Sequence, residues 1–185
     1  MTAAGTGATR NDVWPDAIFA VLKAAEVGQV VYVPDAGHAR LIELCQMDDG
    51  IKTVPLTTEE EGIAVLAGAW LGGERGVLLM QSSGVGNCLN MLAMVQECRF
   101  PFLTLVTMRG EWGEFNPWQL PMGQSAARLL RDMGVIVQPV NEAKQVGETV
   151  NAAARLAFDA NRAVAVLISQ RIIGFKDWTT TENSR

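Results

Sequence analysis

The stretch Thr57-Thr58-Glu59-Glu60-Glu61-Gly62 runs directly into Ile63-Ala64-Val65-Leu66-Ala67-Gly68-Ala69-Trp70. Three carboxylates thus stand before a segment that is apolar on every side. Glu59 to Leu71 reads as one helix, ended by Gly72-Gly73. A helix apolar all round is normally buried. Its first turn then lies at the edge of an interior or an interface, where a glutamate is partly desolvated. Desolvation raises a carboxyl pKa and suits the group to proton transfer. A structural role competes with this one. Thr57 with Glu60, or Thr58 with Glu61, fits a capping box, and acidic residues in a first turn offset the helix dipole.

Outward from this helix, strand and helix patterns alternate. Val13 to Ala25 reads as a helix, with Asp12 as N-cap and Pro15 tolerated in the first turn. The other helices are Ala39 to Met47, Val85 to Cys98, Gly123 to Met133 and Ala143 to Asp159. Six apolar runs read as strands: Val30 to Val33, Ile51 to Val54, Val77 to Met80, Phe102 to Thr107, Val135 to Gln138 and Ala163 to Ser169. Continuous apolar strands between helices indicate an α/β fold, with a mainly parallel six-stranded sheet covered by helices on both faces. Residues 11–178 read as a single domain, 1–10 as a small, polar, disordered lead-in and 179–185 as a tail.

With 185 residues, 49% hydrophobic and 19% charged, the chain suits one globular domain with a full core. A net charge of −5 without a basic cluster argues against nucleic acid or an acidic membrane surface as partner. No apolar run reaches the length of a membrane span, and the N-terminus lacks a signal-peptide core. Cys45, Cys88 and Cys98 show no CxxC spacing, so neither a disulfide framework nor a zinc site is expected. A cytoplasmic location follows. A single histidine, His38, leaves little material for a His-based metal site or a Ser-His-Asp triad.

In open parallel sheets ligands bind beyond the carboxyl ends of the strands. Four segments fall there: Pro34 to His38, Thr57 to Glu61, Gln81-Ser82-Ser83-Gly84-Val85-Gly86-Asn87, and Thr107 to Gly110. The Gly84 to Asn87 turn enters a helix and offers free N–H groups to an anion. It is neither a dinucleotide fingerprint, since residue 89 is Leu, nor a P-loop. Arg109 carries a forked donor set suited to carboxylate, phosphonate or sulfonate, or else pairs with Glu111 or Glu114. His38 is a candidate proton shuttle or a surface polar residue. The irregular stretch Arg109 to Met122 holds Trp112, Phe115 and Trp118, and a loop of that length is usually functional or interfacial.

These segments, in this order, resemble the pyrimidine-binding (Pyr) domain of thiamine diphosphate-dependent 2-keto acid decarboxylases, the sulfopyruvate and phosphonopyruvate decarboxylases above all. The carrying stretches are TTEEEGIAVLAGAWLGG, VLLMQSSGVGN, FPFLTLVTMRGE and QLPMG. The resemblance implies one glutamate ten residues before a Tyr, whose place Trp70 takes. Counting back gives Glu60, with Glu61 as the alternative. That glutamate would hydrogen-bond the cofactor's aminopyrimidine ring and assist its activation. Gln81, Ser82, Ser83, Gly84, Gly86 and Asn87 would line the cofactor pocket, although the relatives carry Asn where this chain has Ser82. Arg109, and less strongly Gln119, would face the anionic tail of the substrate. His38 has no counterpart in the resemblance and stays a substrate-side candidate by position alone.

The family's Gly-Asp-Gly motif, which holds Mg2+ and the diphosphate, is missing from this sequence. The resemblance therefore implies a heteromer with a diphosphate-binding (PP) β subunit carrying that motif, with no metal ligand on this chain. The substrate implied is 3-sulfopyruvate or a similar anionic keto acid. Phosphonopyruvate or an aryl or aliphatic keto acid is the alternative on the same scaffold. A non-catalytic binding or regulatory module is the alternative from another class.

Overall fold

A computed structural model describes residues 14–174. The expected lead-in, the Asp12 cap and the 179–185 tail lie outside the described residues. The helices are α1 (Trp14–Ala24), α2 (Ala39–Gln46), α3 (Glu59–Leu71), α4 (Gly84–Cys88), α5 (Leu92–Cys98), α6 (Leu120–Asp132), α7 (Val146–Phe158) and α8 (Gln170–Ile173). The strands are β1 (Val27–Tyr32), β2 (Lys52–Pro55), β3 (Arg75–Gln81), β4 (Phe102–Thr107), β5 (Ile136–Val140) and β6 (Ala163–Ile168). They form one sheet in the order β2-β1-β3-β4-β6-β5, and every neighbouring pair is parallel. The fold class expected from the apolar runs is the one observed.

Successive side chains of a strand point to opposite faces, and β3 shows the result. Val77 and Leu79 join one core with Ile18, Leu22, Leu41, Val150 and Ala154 from α1, α2 and α7. Leu78 and Met80 join the other with Ile63, Leu66, Val85, Leu92 and Leu130 from α3 to α6. Burying each such Leu or Ile side chain contributes about 1.5–3 kcal/mol. Both faces must be covered, so the central strands carry few polar residues, and several of those present are tied. Thr104, for example, donates its hydroxyl to the Leu78 carbonyl at 2.9 Å.

The expected helix Val85 to Cys98 is two helices, α4 and α5, separated by a turn at 89–91. Gly84, Gly86 and Asn87 are poor helix formers, yet Val85, Cys88, Leu92 and Val95 keep a helical spacing and are all buried. Periodicity alone cannot see such a break. The helix expected at Gly123 begins earlier, at Leu120, and α7 is preceded by a 3-10 turn at Ala143–Gln145.

The helix α3 is the larger surprise. Gly62, Ile63 and Leu66 pack into the core, but Ala64, Gly68 and Leu71 are exposed, Leu71 by 88%. Residues at such spacing share one face of a helix, and Glu60 stands at the head of that stripe. Apolar on all sides, the helix is buried on one side only within this chain.

Candidate functional site

The carboxyl ends of β1, β2, β3 and β4 bring together the four loops expected from the sequence, and the end of β6 adds the start of α8. The three glutamates that begin α3 have three different surroundings. Glu61 is the cap: its carboxylate accepts the backbone N–H of Thr57 at 2.9 Å and of Thr58 at 3.4 Å. Glu59 is buried and accepts from the Asn87 amide at 2.7 Å. It lies so close to Gly84 that a Cβ there would stand 2.5 Å from its carboxyl carbon. Only glycine allows that approach. Glu60 is half-buried and accepts the Thr58 hydroxyl. That hydrogen bond, with one from its own backbone N–H, holds its carboxyl below the ordinary range. In the chain alone the rise in pKa expected for a catalytic glutamate is thus absent, because water still reaches the group.

A second cluster centres on Gln81 at the end of β3. Its amide nitrogen donates to Asp35 at 2.9 Å, and its carbonyl accepts from the Ser83 hydroxyl at 3.2 Å and the Gln119 amide at 3.0 Å. Thr107 also donates to Asp35. The buried Oε1 of Gln119 has no partner. Ser82 turns away from the loops: its hydroxyl accepts from the Arg109 backbone N–H at 3.0 Å and donates to the Arg109 carbonyl at 3.3 Å, stapling β3 to β4. Gly86 faces the side chain of Met122, and Asn87 is exposed apart from its bond to Glu59.

Arg109 pairs with Glu114, one of the two partners open from the sequence. Its Nε and Nη2 donate to the two carboxylate oxygens at 2.7 and 2.8 Å. The Glu114 side chain is 1% exposed and also accepts from the backbone N–H of Gly110 and Asn116 and from the Gln170 amide. Arg109 first, with those donors, lowers its carboxyl to about 2. Glu111 is taken elsewhere, by the Ser169 hydroxyl and the Gln170 N–H, both at 2.7 Å. Arg109, Asp35, Gly37, Thr107 and Ile173 line a cavity of about 160 Å³.

A carboxyl pKa lowered by folding stabilises the native state above the unfolded value, and that contribution disappears as pH falls through the folded value. The Glu114 contribution is therefore complete above about pH 4.5 and lost toward pH 2. Glu114→Gln leaves Arg109 without its partner and is expected to cost about 3 kcal/mol at pH 7. Urea unfolding across pH checks this: the gap between variant and parent should close as the acid limit is approached. A gap independent of pH would contradict the assignment.

His38 is not the surface residue of one of its two readings. It is 1% exposed, with Nε2 3.1 Å from the Leu105 carbonyl and Nδ1 unpartnered. Burial lowers its pKa, so the imidazole is neutral in ordinary buffer. The sequence had singled out neither Glu59 nor Gln170, and no local pattern distinguishes either. Asp35 was visible only as part of its turn.

Residues 14–116 match the family described as thiamine pyrophosphate enzyme, N-terminal TPP binding domain. The chain belongs to that family. The α subunit of sulfopyruvate decarboxylase from Methanothermobacter thermautotrophicus is 33% identical over 154 residues, covering 83% of this chain and 93% of that protein. Phosphonopyruvate decarboxylase of Streptomyces viridochromogenes is 36% identical over 115 residues, covering 61% of this chain and 29% of that protein. A 2-oxoglutarate:ferredoxin oxidoreductase from Magnetococcus marinus shares the fold, with a TM-score of 0.71 at 20% identity. It covers 86% of this chain, which spans 29% of that one.

The residues of this TPP-binding domain fit an aminopyrimidine. Glu60 offers a carboxyl that does not serve the N–H groups of Thr57 and Thr58, and the Gln81, Ser83 and Gln119 cluster contains an orphaned acceptor. Among the described residues no helix is long and apolar enough to cross a membrane.

Proposed function

We propose that this chain is the Pyr-type subunit of a heteromeric 2-keto acid decarboxylase that converts 3-sulfopyruvate, or a similar anionic keto acid, to an aldehyde and carbon dioxide. The observation that carries it is the position of Glu60. Of the three glutamates only this one is neither buried against Asn87 nor used as the cap, and it heads the exposed apolar stripe of α3. A partner that covers the stripe also removes water from the carboxyl. Desolvation then raises its pKa, and Glu60 can share a proton with the pyrimidine nitrogen. Thiamine diphosphate, when bound, supplies the electron sink for loss of carbon dioxide.

The partner is a PP-domain β subunit that holds the diphosphate and Mg2+. Its existence is supported by the subunit naming of the relatives at 31–36% identity and by the apolar face that α3 leaves uncovered. Gln81, Ser83, Gly84, Gly86 and Asn87 flank the cofactor on this side, with Ser82 fixing the strand ends behind them. Arg109 and Gln119 face the substrate tail. Three unpaired cysteines support a cytoplasmic location. Arg109→Ala is expected to raise KM for an anionic keto acid by an amount equivalent to about 1–3 kcal/mol, measured against a neutral-tailed analogue whose KM should change less.

Phosphonopyruvate is the second candidate substrate, favoured by the 36% identity to a phosphonopyruvate decarboxylase. Capture of tagged chain from its native host, with mass spectrometry of what it binds, tests the assembly. A stoichiometric partner with Gly-Asp-Gly supports the proposal. Recovery of this chain alone contradicts it.

A further inference from the structure

Arg109 does not stand free at the cavity; it is held from behind. Its Nε and one N–H of Nη2 are committed to Glu114, and among the described residues no hydrogen bond uses Nη1. Glu114 is in turn held by Gln170, whose Nε2 donates to its Oε2 at 2.9 Å. Gln170 is fully buried at the start of α8, directly after β6. Its Oε1 accepts the backbone N–H of Glu111 at 3.2 Å and of Trp112 at 3.1 Å, and its own N–H donates to Glu111 at 2.7 Å. One side chain thus binds the loop backbone and the carboxylate that aims the arginine. Its neighbour Arg171 lies 3.4 Å from the Trp112 ring centroid and pins the same loop from outside.

We propose that Gln170 is a positioning residue for Arg109: through Glu114 it fixes the guanidinium so that its opposite edge, Nη1 and the second N–H of Nη2, is presented to the anionic tail of the substrate. This rests on the decarboxylase function proposed above. An amide suits the task because it donates to a carboxylate and accepts from two N–H groups at once. A rigid arginine loses less freedom on binding an anion than a mobile one, which lowers KM without touching the chemical step.

Two variants of the full chain, assembled with its partner subunit, test the proposal. Gln170→Ala should raise KM for the anionic keto acid at least tenfold, with kcat within about threefold of the parent. Gln170→Glu keeps both acceptor bonds but sets a second carboxyl against Glu114. Its protonated form donates as the amide does and its ionised form repels. KM of this variant should therefore climb with pH while the parent's stays flat. A merely structural glutamine would leave KM and its pH profile unchanged in whatever fraction folds, and that result overturns the proposal. The isolated chain gives a readout independent of turnover, the 15N signal of the Arg109 Nε–H. It should be sharp and slow to exchange in the parent and broadened in Gln170→Ala. An unchanged signal refutes the clamp even if the complex proves to have another activity. A broadened signal with no decarboxylation supports the clamp and removes the assigned substrate.

Discussion

Glu60→Gln in the assembled enzyme is expected to lower kcat about 100- to 10,000-fold, the range for loss of a positioned acid or base. The amide cannot share a proton with the pyrimidine ring, although it fills the same space. Glu61→Gln should behave differently. Glu61 spends its carboxylate on the N–H groups of Thr57 and Thr58, a task that a glutamine oxygen also performs, so its variant should lose less than about 1 kcal/mol of stability and keep its turnover. Steady-state decarboxylation and thermal unfolding of the two variants separate chemistry from capping. Equal loss of turnover in both would return the choice between them to open. The titration of Glu60 adds a direct check. Thr58 holds the carboxyl below its usual value in the chain alone. Carbon-detected NMR should find it there, and find it raised once the partner covers the helix.

Leu71→Glu should abolish assembly. Leu71 is 88% exposed at the end of the α3 stripe, beyond Ala64 and Gly68. Small residues along such a stripe let another backbone approach closely, and a bulky apolar residue at its end serves as an anchor. A carboxylate placed there would be buried without a partner on association, at a cost of several kcal/mol. Affinity for the β subunit should fall at least 100-fold, a change of about 2.7 kcal/mol. The variant chain itself should unfold at the parent temperature, because Leu71 is in water before assembly. Titration calorimetry with the purified partner measures the first quantity and calorimetric unfolding the second. Unimpaired association would show that the partner sits elsewhere and that Glu60 is not desolvated in the way proposed.

The sheet was legible because buried parallel strands are written as apolar runs. Phe102 to Thr107 and the helix Glu59 to Leu71 appear with the boundaries read from the sequence. Strand β3 starts earlier than its apolar run, at Arg75, because pairing of its first residues depends on Val27 and Gln29 in β1 rather than on its own composition. Helix α3 was read as buried all round, and its composition does say so. What one sequence cannot say is that this chain by itself covers only one side of the helix. The site was legible as loops and less so as contacts. Arg109 had two carboxylates within five positions, and Glu111 was withdrawn from it by Ser169 and Gln170, 58 and 59 residues away. No local pattern predicts that. His38 followed a turn and looked like surface, yet the turn folds back beneath Leu105 and buries it.

The most direct test of the account is release of carbon dioxide by the copurified complex. This chain and its β subunit, loaded with thiamine diphosphate and Mg2+, would be given 3-sulfopyruvate and assayed for carbon dioxide and aldehyde together. The account predicts equal amounts of both, dependent on the cofactor and on both subunits, and lost in Glu60→Gln. A cofactor-loaded complex that releases no carbon dioxide from 3-sulfopyruvate, phosphonopyruvate or any other 2-keto acid, or one as active with glutamine at position 60, would contradict it.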